Sequence, residues 1–488
     1  MNTVRPGMVL RQRTYAIGVA AVALVAIYLV WHGHTRWLAV GLLAALLFAA
    51  GLRNARLAIV LTLTYTFFLG DIRRLVNWQV GWPALDPLLL VAPLVVGALA
   101  LGVLLREQRL SPMARMVLAL MALMTLEIAN PLQGGLRVGL GGALFYLVPL
   151  LWFWLGRRYA SPAFVEQVAY RLVLPVAVLA AIVGLLQTLV GFAPWEQAWI
   201  TMASQNYAAL NVGGAIRAFA FFTSSASYAT FLGIAAVIAA AGWWLGHRRA
   251  AVWLLLLLPV LFLDSSRGIV VKLIVALLVV WALRRGGSRG WYLRFALGAS
   301  LLVGVLAWGL PKLMHTDDQS NAAVQALVAH QVEGLTHPLN PQTSTLQLHW
   351  HYLKQGLISG FTHPLGQGLG ASTLAAQKFG GHGQSTEVDF GDMLVDLGFG
   401  GGFLYLALMA RVLWQVWQRW RFQRECSALL ILGVLVVTGA AWLIAGQYEI
   451  SALVWLLIGA VDHGSHAFGS VLAGPSCDKS RANCVARP

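Results

Sequence analysis

The segment ALDPLLLVAPLVVGALALGVLL, residues 84–105, carries no charged residue after Asp86. As an α-helix rising about 1.5 Å per residue, it is long enough to cross the roughly 30 Å hydrocarbon core of a bilayer. Comparable runs lie before it, near 14–31, 37–51 and 56–70, and after it, near 113–129, 139–156, 168–190, 222–246, 250–264, 268–284, 291–310, 397–417, 427–445 and 448–462. Together they make about fourteen candidate transmembrane helices. Hydrophobic residues are 59% of the chain and charged residues 11%, against about 25% charged in a soluble domain. A water-facing surface cannot be built from this composition. The expected fold is therefore all-α, a single polytopic membrane domain over residues 1–488. The N-terminal apolar run exceeds a signal-peptide core of about 7–15 residues, which favours a retained first span.

The basic residues set the orientation. Arg5, Arg11 and Arg13 precede the first run, and alternate connections carry Arg53 and Arg56; Arg106, Arg109 and Arg115; Arg157 and Arg158; Arg248 and Arg249; Arg284, Arg285 and Arg289; and Arg419, Arg421 and Arg424. By the positive-inside rule these face the cytoplasm, as do both termini and the tail 463–488. The net charge of +16 then reflects orientation and gives no ground for a nucleic-acid partner. The other side receives the connections near 70–83, 190–221 and 311–396. The last, large enough for an extracytoplasmic subdomain, holds seven of the twelve histidines: His315, His330, His337, His349, His351, His363 and His382. Cys426, Cys477 and Cys484 have neither metal-ligand spacing nor a disulfide framework and read as structural thiols.

Several polar residues stand where an apolar chain makes them expensive. Arg73 and Arg74, in FLGDIRRLVNW, lie on the side that disfavours cations; they pair with Asp71 or attract an anionic substrate. Arg217 follows Gly213–Gly214 at a helix entry, and Arg267 lies in LDSSRG between two short runs, with Asp264 able to neutralise it. Two arginines at outward helix ends also suit a phosphate clamp, because guanidinium offers a planar fork of donors. STLQLHWHYLKQGL, 344–357, reads as a helix with a Ser344–Gln347 capping box. His349 and His351 lack third and fourth ligands, so no metal site is expected. Glu387, Asp389, Asp392 and Asp396 enter the run at 397–417; they complement a helix dipole or supply a general base.

In order, IRAFAFFTSS (216–225), SSRGIVVKLIVALLVV (265–280), HPLGQGLG (363–370) and EVDFGDMLVDLGFGGGFLYL (387–406) resemble the O-antigen ligase and polymerase superfamily, over roughly residues 120–460. HPLGQGLG looks like that family's glycine-spaced turn closing the outer loop over the membrane cavity. The resemblance implies a GT-C-like membrane glycosyltransferase of the bacterial inner membrane, without metal or other cofactor. Its donor and acceptor would be undecaprenyl-diphosphate-linked glycans, and a flippase and a chain-length regulator its partners. Carried over, Arg217 and Arg267 engage the diphosphate; Glu387 is then the base or the group that orients the acceptor, with His382 the rival base. Arg73, Arg74, His349, His363 and His382 are the expected substrate contacts. Where ligases carry His-Asn, this chain has Glu387–Val388, which is closer to the Wzy-type exopolysaccharide polymerases. A ligase or protein O-oligosaccharyltransferase would use the same donor with another acceptor. A transporter would show repeated halves and midplane charges, and the sequence shows no such repeat.

Overall fold

The computed structural model describes residues 34–83, 85–203, 210–247, 249–285, 318–337, 346–381, 386–439, 441–443 and 447–463, with Gly298 and Val305. The expected span 14–31, the expected span 291–310 apart from those two residues, the box residue Ser344, His315, His382 and the tail beyond His463 lie outside them. The described residues form α1 (Thr35–Arg53), α2 (Ala55–Val80), α3 (Val91–Leu104, led in by a 3-10 turn from Pro87), α4 (Pro112–Glu127), α5 (Leu136–Tyr159) and α6 (Pro162–Leu189, with a π turn at Ala169–Val173). There follow α7 (Pro194–Ala203), the strands β1 (Asn211–Val212) and β2 (Ala215–Ile216), α8 (Ser225–Trp244), α9 (Ala250–Leu263) and α10 (Arg267–Arg285). The remainder is α11 (Asp318–Thr336), α12 (Leu346–Thr362), α13 (Leu374–Phe379), α14 (Asp389–Gln418), α15 (Cys426–Thr438) and α16 (Tyr448–Asp462).

This is an all-helical membrane protein. Seven described helices are long and apolar enough to cross a bilayer: α1, α2, α3 with its lead-in, α5, α6, α8 and α14. Local chemistry sets where several begin. Asn54 accepts from Leu57 N to start α2, Ser111 accepts from Ala114 N ahead of Pro112 in α4, and Ser224 accepts from Ser227 N in α8. α8 is the centre of the bundle, with 94% of its apolar window buried, whereas α1, at 17%, presents most of its surface outward. Small residues make the central position possible. Gly184 of α6 lies directly under the Tyr228 hydroxyl, where a Cβ would come within 2.0 Å.

Four expectations change. α2 continues to Val80, so Arg73 and Arg74 lie on a helix and not in a loop. α14 begins at Asp389 and not near 397, so three of the four carboxylates belong to it. α15 stops at Thr438, short of the expected 445. Cys426 is disulfide-bonded and is not a free thiol. Within 311–396, α13 packs on α5 and α12 on α14, so these elements dock onto the helical bundle.

Candidate functional site

Between β2 and α8 the chain runs from Arg217 to Ser224 without helix, inside the bundle. Backbone of this kind must find partners outside a helix ladder, because most of it is buried. Gln187 of α6 accepts from Phe219 N at 3.0 Å and Ala220 N at 2.8 Å, and its amide donates to Glu196 at 2.6 Å. Arg74 donates to Phe222 O and Ala220 O, each at 2.9 Å, with its guanidinium 4.5 Å over the Phe219 ring. Glu449 of α16 accepts from Thr223 N at 3.0 Å and from its hydroxyl at 2.8 Å. Ala220 takes a left-handed φ of 46° in the middle of this segment. Upstream, Gly213 and Gly214, both at positive φ, turn β1 into β2. Arg217 is thus delivered to a fixed point by three separate helices. Arg74, expected as a substrate contact, is a buried brace of this segment.

At that point Arg217 meets the α9–α10 junction. Its Nε donates to Asp264 O at 2.9 Å and its Nη2 to Asp264 Oδ2 at 2.7 Å, with a further contact to the Ser266 hydroxyl. Asp264 therefore neutralises Arg217, and not Arg267 as the sequence suggested. Ser265, at φ 62°, turns the chain into α10, and its hydroxyl lies 2.8 Å from His330 Nδ1 on α11. Arg267 Nη2 lies 3.0 Å from His330 Nε2. An arginine can only donate, so Nε2 is the acceptor, and the ring proton sits on Nδ1, donated to Ser265. Gly334, one turn along α11, leaves room for this arginine; a Cβ there would fall 1.9 Å from Arg267 Cδ.

The electrostatics follow from burial and from the paired cations. Burial, then Arg267 and Arg217, lower His330 from 6.5 to about 4. It is neutral at pH 7, as its hydrogen bonds require. Two arginines distant in sequence thus share one polar cluster with two serines, a carboxylate and a neutral imidazole. Such a cluster can hold an anionic group and stabilise charge that develops on it.

Arg73 occupies a different place. Its Nε pairs with Asp86 at 2.6 Å, and it lines a cavity of about 160 Å³ with Asn77, Trp82, Trp199, Thr223 and Lys378. Arg74, at the floor of this cavity, lies 3.6 Å from Asp71.

The glycine-spaced turn is bolted to a break in α14. Gly398 has φ 68°, and a Cβ on it would come 2.1 Å from Pro364 O. Gln367 N donates to Val395 O, Gly368 N to Asp396 O, and Phe399 N to Pro364 O. Asp396 accepts from Ser372 N at 2.9 Å and from its hydroxyl at 2.8 Å, and Asp392 accepts from Thr386 N at 2.7 Å. Asp389 accepts from the Tyr405 hydroxyl at 2.6 Å, Trp442 N at 2.5 Å and Leu443 N at 2.6 Å. These three carboxylates hold the fold together and do more than complement a helix dipole. His363 is exposed, 3.0 Å from the Thr362 hydroxyl.

Glu387 is different from its three neighbours. It is half exposed, takes φ 55°, and lies 3.6 Å from His349 Nδ1 on α12. Sequence reading named both residues separately, and the fold brings them together. It passed over His330, Ser265, Gln187 and Glu449. The signal for the last two was present: each is a polar residue near one end of a largely apolar helix. Compared with models of known protein families the chain matches none, and no curated protein matches it.

Proposed function

We propose that this chain is a membrane glycosyltransferase that joins undecaprenyl-diphosphate-linked repeat units into an exopolysaccharide or O-antigen chain, at the outer face of a bacterial inner membrane. The observation that carries the reading is the convergence of Arg217 and Arg267 with Ser265, Ser266 and His330 at a junction between apolar helices. The donor's diphosphate is engaged there, with Asp264 fixing the Arg217 fork and His330 orienting Arg267. An acceptor hydroxyl attacks the anomeric carbon, the bond from that carbon to the diphosphate oxygen breaks, and the electron pair leaves with undecaprenyl diphosphate. The hydroxyl proton passes to Glu387, which stands with His349 on the exposed side of α12 and α14. The arginines balance charge on the leaving group. A flippase supplying the lipid-linked unit and a chain-length regulator fit this reaction as partners. Surface glycan of a deletion strain tests the reading: single repeats held on lipid, with polymer restored by the native gene and not by Arg267→Lys, is the expected result. Polymer of normal length in the deletion strain would overturn it.

A further inference from the structure

α12 has two unlike sides. Toward α14 it packs closely: Gly356 faces Gly391 and Gly360 faces Leu394, where an added Cβ would come within 2.8 and 2.9 Å. The outward side is split along its length. Trp350, Ile358 and Phe361 are 69, 52 and 69% exposed, and Leu365, in the turn after the helix, is 82% exposed. At about 100° per residue the three helical positions fall within one quarter of the circumference. That quarter also holds the exposed Gln347 in the first turn and Lys354, a side chain whose methylene stem can lie along apolar surface while its ammonium reaches water or headgroups. His351, Gln355 and Thr362, also exposed, occupy the next sector. The apolar sector does not end with the helix. The Phe361 ring lies 5.4 Å from Phe399, and Phe399 lies 4.4 Å from Phe403. Phe399, Phe403, Leu406, Leu413 and Trp414 form the exposed stripe of α14, one of the helices long and apolar enough to cross a bilayer.

We infer that α12 lies in the membrane interface, with Trp350, Ile358, Phe361 and Leu365 against phospholipid acyl chains and with His351, Gln355 and Thr362 toward water. Continuity with the lipid-facing stripe of α14 identifies the occupant. An exposed apolar surface that adjoins a membrane span and is bordered by polar side chains meets the requirements of an interfacial helix. The inference does not depend on the proposed transferase activity. It ties the Glu387–His349 pair to the bilayer surface, because His349 is on this helix.

The test uses the full chain in nanodiscs of phosphatidylcholine and phosphatidylglycerol. Single cysteines replace Trp350, Ile358, Phe361, Leu365, Gln355 or Thr362 in a background where the three native cysteines are serine, and each carries a nitroxide label. Oxygen should relax the labels at 350, 358, 361 and 365 more than a water-soluble nickel chelate does, with the reverse at 355 and 362. Nickel access throughout, or access to neither reagent at the apolar positions, would overturn the inference; the second result would mean protein covers the face. Because Cys426 is disulfide-bonded, a photocrosslinking residue at 361, 365 or 355 in the native-cysteine chain provides a second measurement. Phospholipid adducts should form at 361 and 365 and not at 355. Their absence at both apolar positions would also overturn it.

Discussion

Arg217 and Asp389 are both buried charges at breaks between helices, and their partners differ in kind. Asp389 Oδ2 takes one hydroxyl and two backbone N–H groups, from Tyr405, Trp442 and Leu443. Tyr405 is on α14 and the two backbone donors lie in the α15–α16 connection, so Asp389 ties these two parts of the fold together. Arg217 is held by side chains and a carbonyl of Asp264 and Ser266 at a junction whose other members, Ser265, Arg267 and His330, are polar or titratable. Backbone partners fix geometry, whereas a mutually polarising set of side chains retains the capacity to meet a ligand. The comparison separates structural charge from candidate catalytic charge in a bundle where both are costly.

Removing Asp389 is the most severe way to probe this difference. Asp389→Ala leaves two backbone donors buried without an acceptor, a cost of about 3 kcal/mol or more. It should abolish recovery of monodisperse protein from detergent; a wild-type melting temperature would erase the distinction. Gly398→Ala comes next, since it forces a side chain into left-handed φ and against Pro364 O. A loss of about 2 kcal/mol, read from thermal unfolding, is expected. Arg267→Lys should leave folding nearly unchanged and lower polymer by roughly tenfold or more, because lysine cannot present two parallel donors. Glu387→Gln should likewise preserve the melting temperature while polymer falls; a full-length ladder from this variant would move the base elsewhere, with His349 the adjacent candidate.

The smallest effect concerns pH. His330 titrates at about 4 in the fold and near 6.5 when unfolded. Between those values the unfolded chain binds more protons, so the histidine's contribution to stability falls as pH drops from about 6.5 to about 4. Other carboxylates titrate in the same window, so the informative quantity is the difference from His330→Gln. The variant should show a shallower decline of melting temperature across this window. Identical slopes would remove His330 from the cluster's electrostatics.

Much of this architecture is legible in one dimension, because apolar runs are imposed by the bilayer. Arg217 and Arg267 could be picked out because each interrupts such a run beside glycine or serine. Their partners could not. His330 is one histidine among seven in its region, and only the packing of α11 over the α9–α10 junction selects it. The extension of α2 through Asp71, Arg73 and Arg74 was hidden for a related reason. Charges read as a loop until tertiary partners, here Phe222 O, Ala220 O and Asp86, make them affordable inside a helix. The early start of α14 has the same cause, with Ser372 and Thr386 as partners of Asp396 and Asp392.

The central claim is that the Arg217–Arg267 cluster serves glycosyl transfer from a lipid diphosphate. The direct measurement is reconstitution of purified chain in liposomes with an undecaprenyl-diphosphate-linked repeat unit, resolving products by mass. Wild-type protein should yield a ladder of glycans and release undecaprenyl diphosphate in step with each bond, and Arg267→Lys, folded to the same level, should yield neither. Equal ladders from both proteins, or a wild-type sample in which the lipid-linked unit stays intact with its proper partners present, would contradict the assignment.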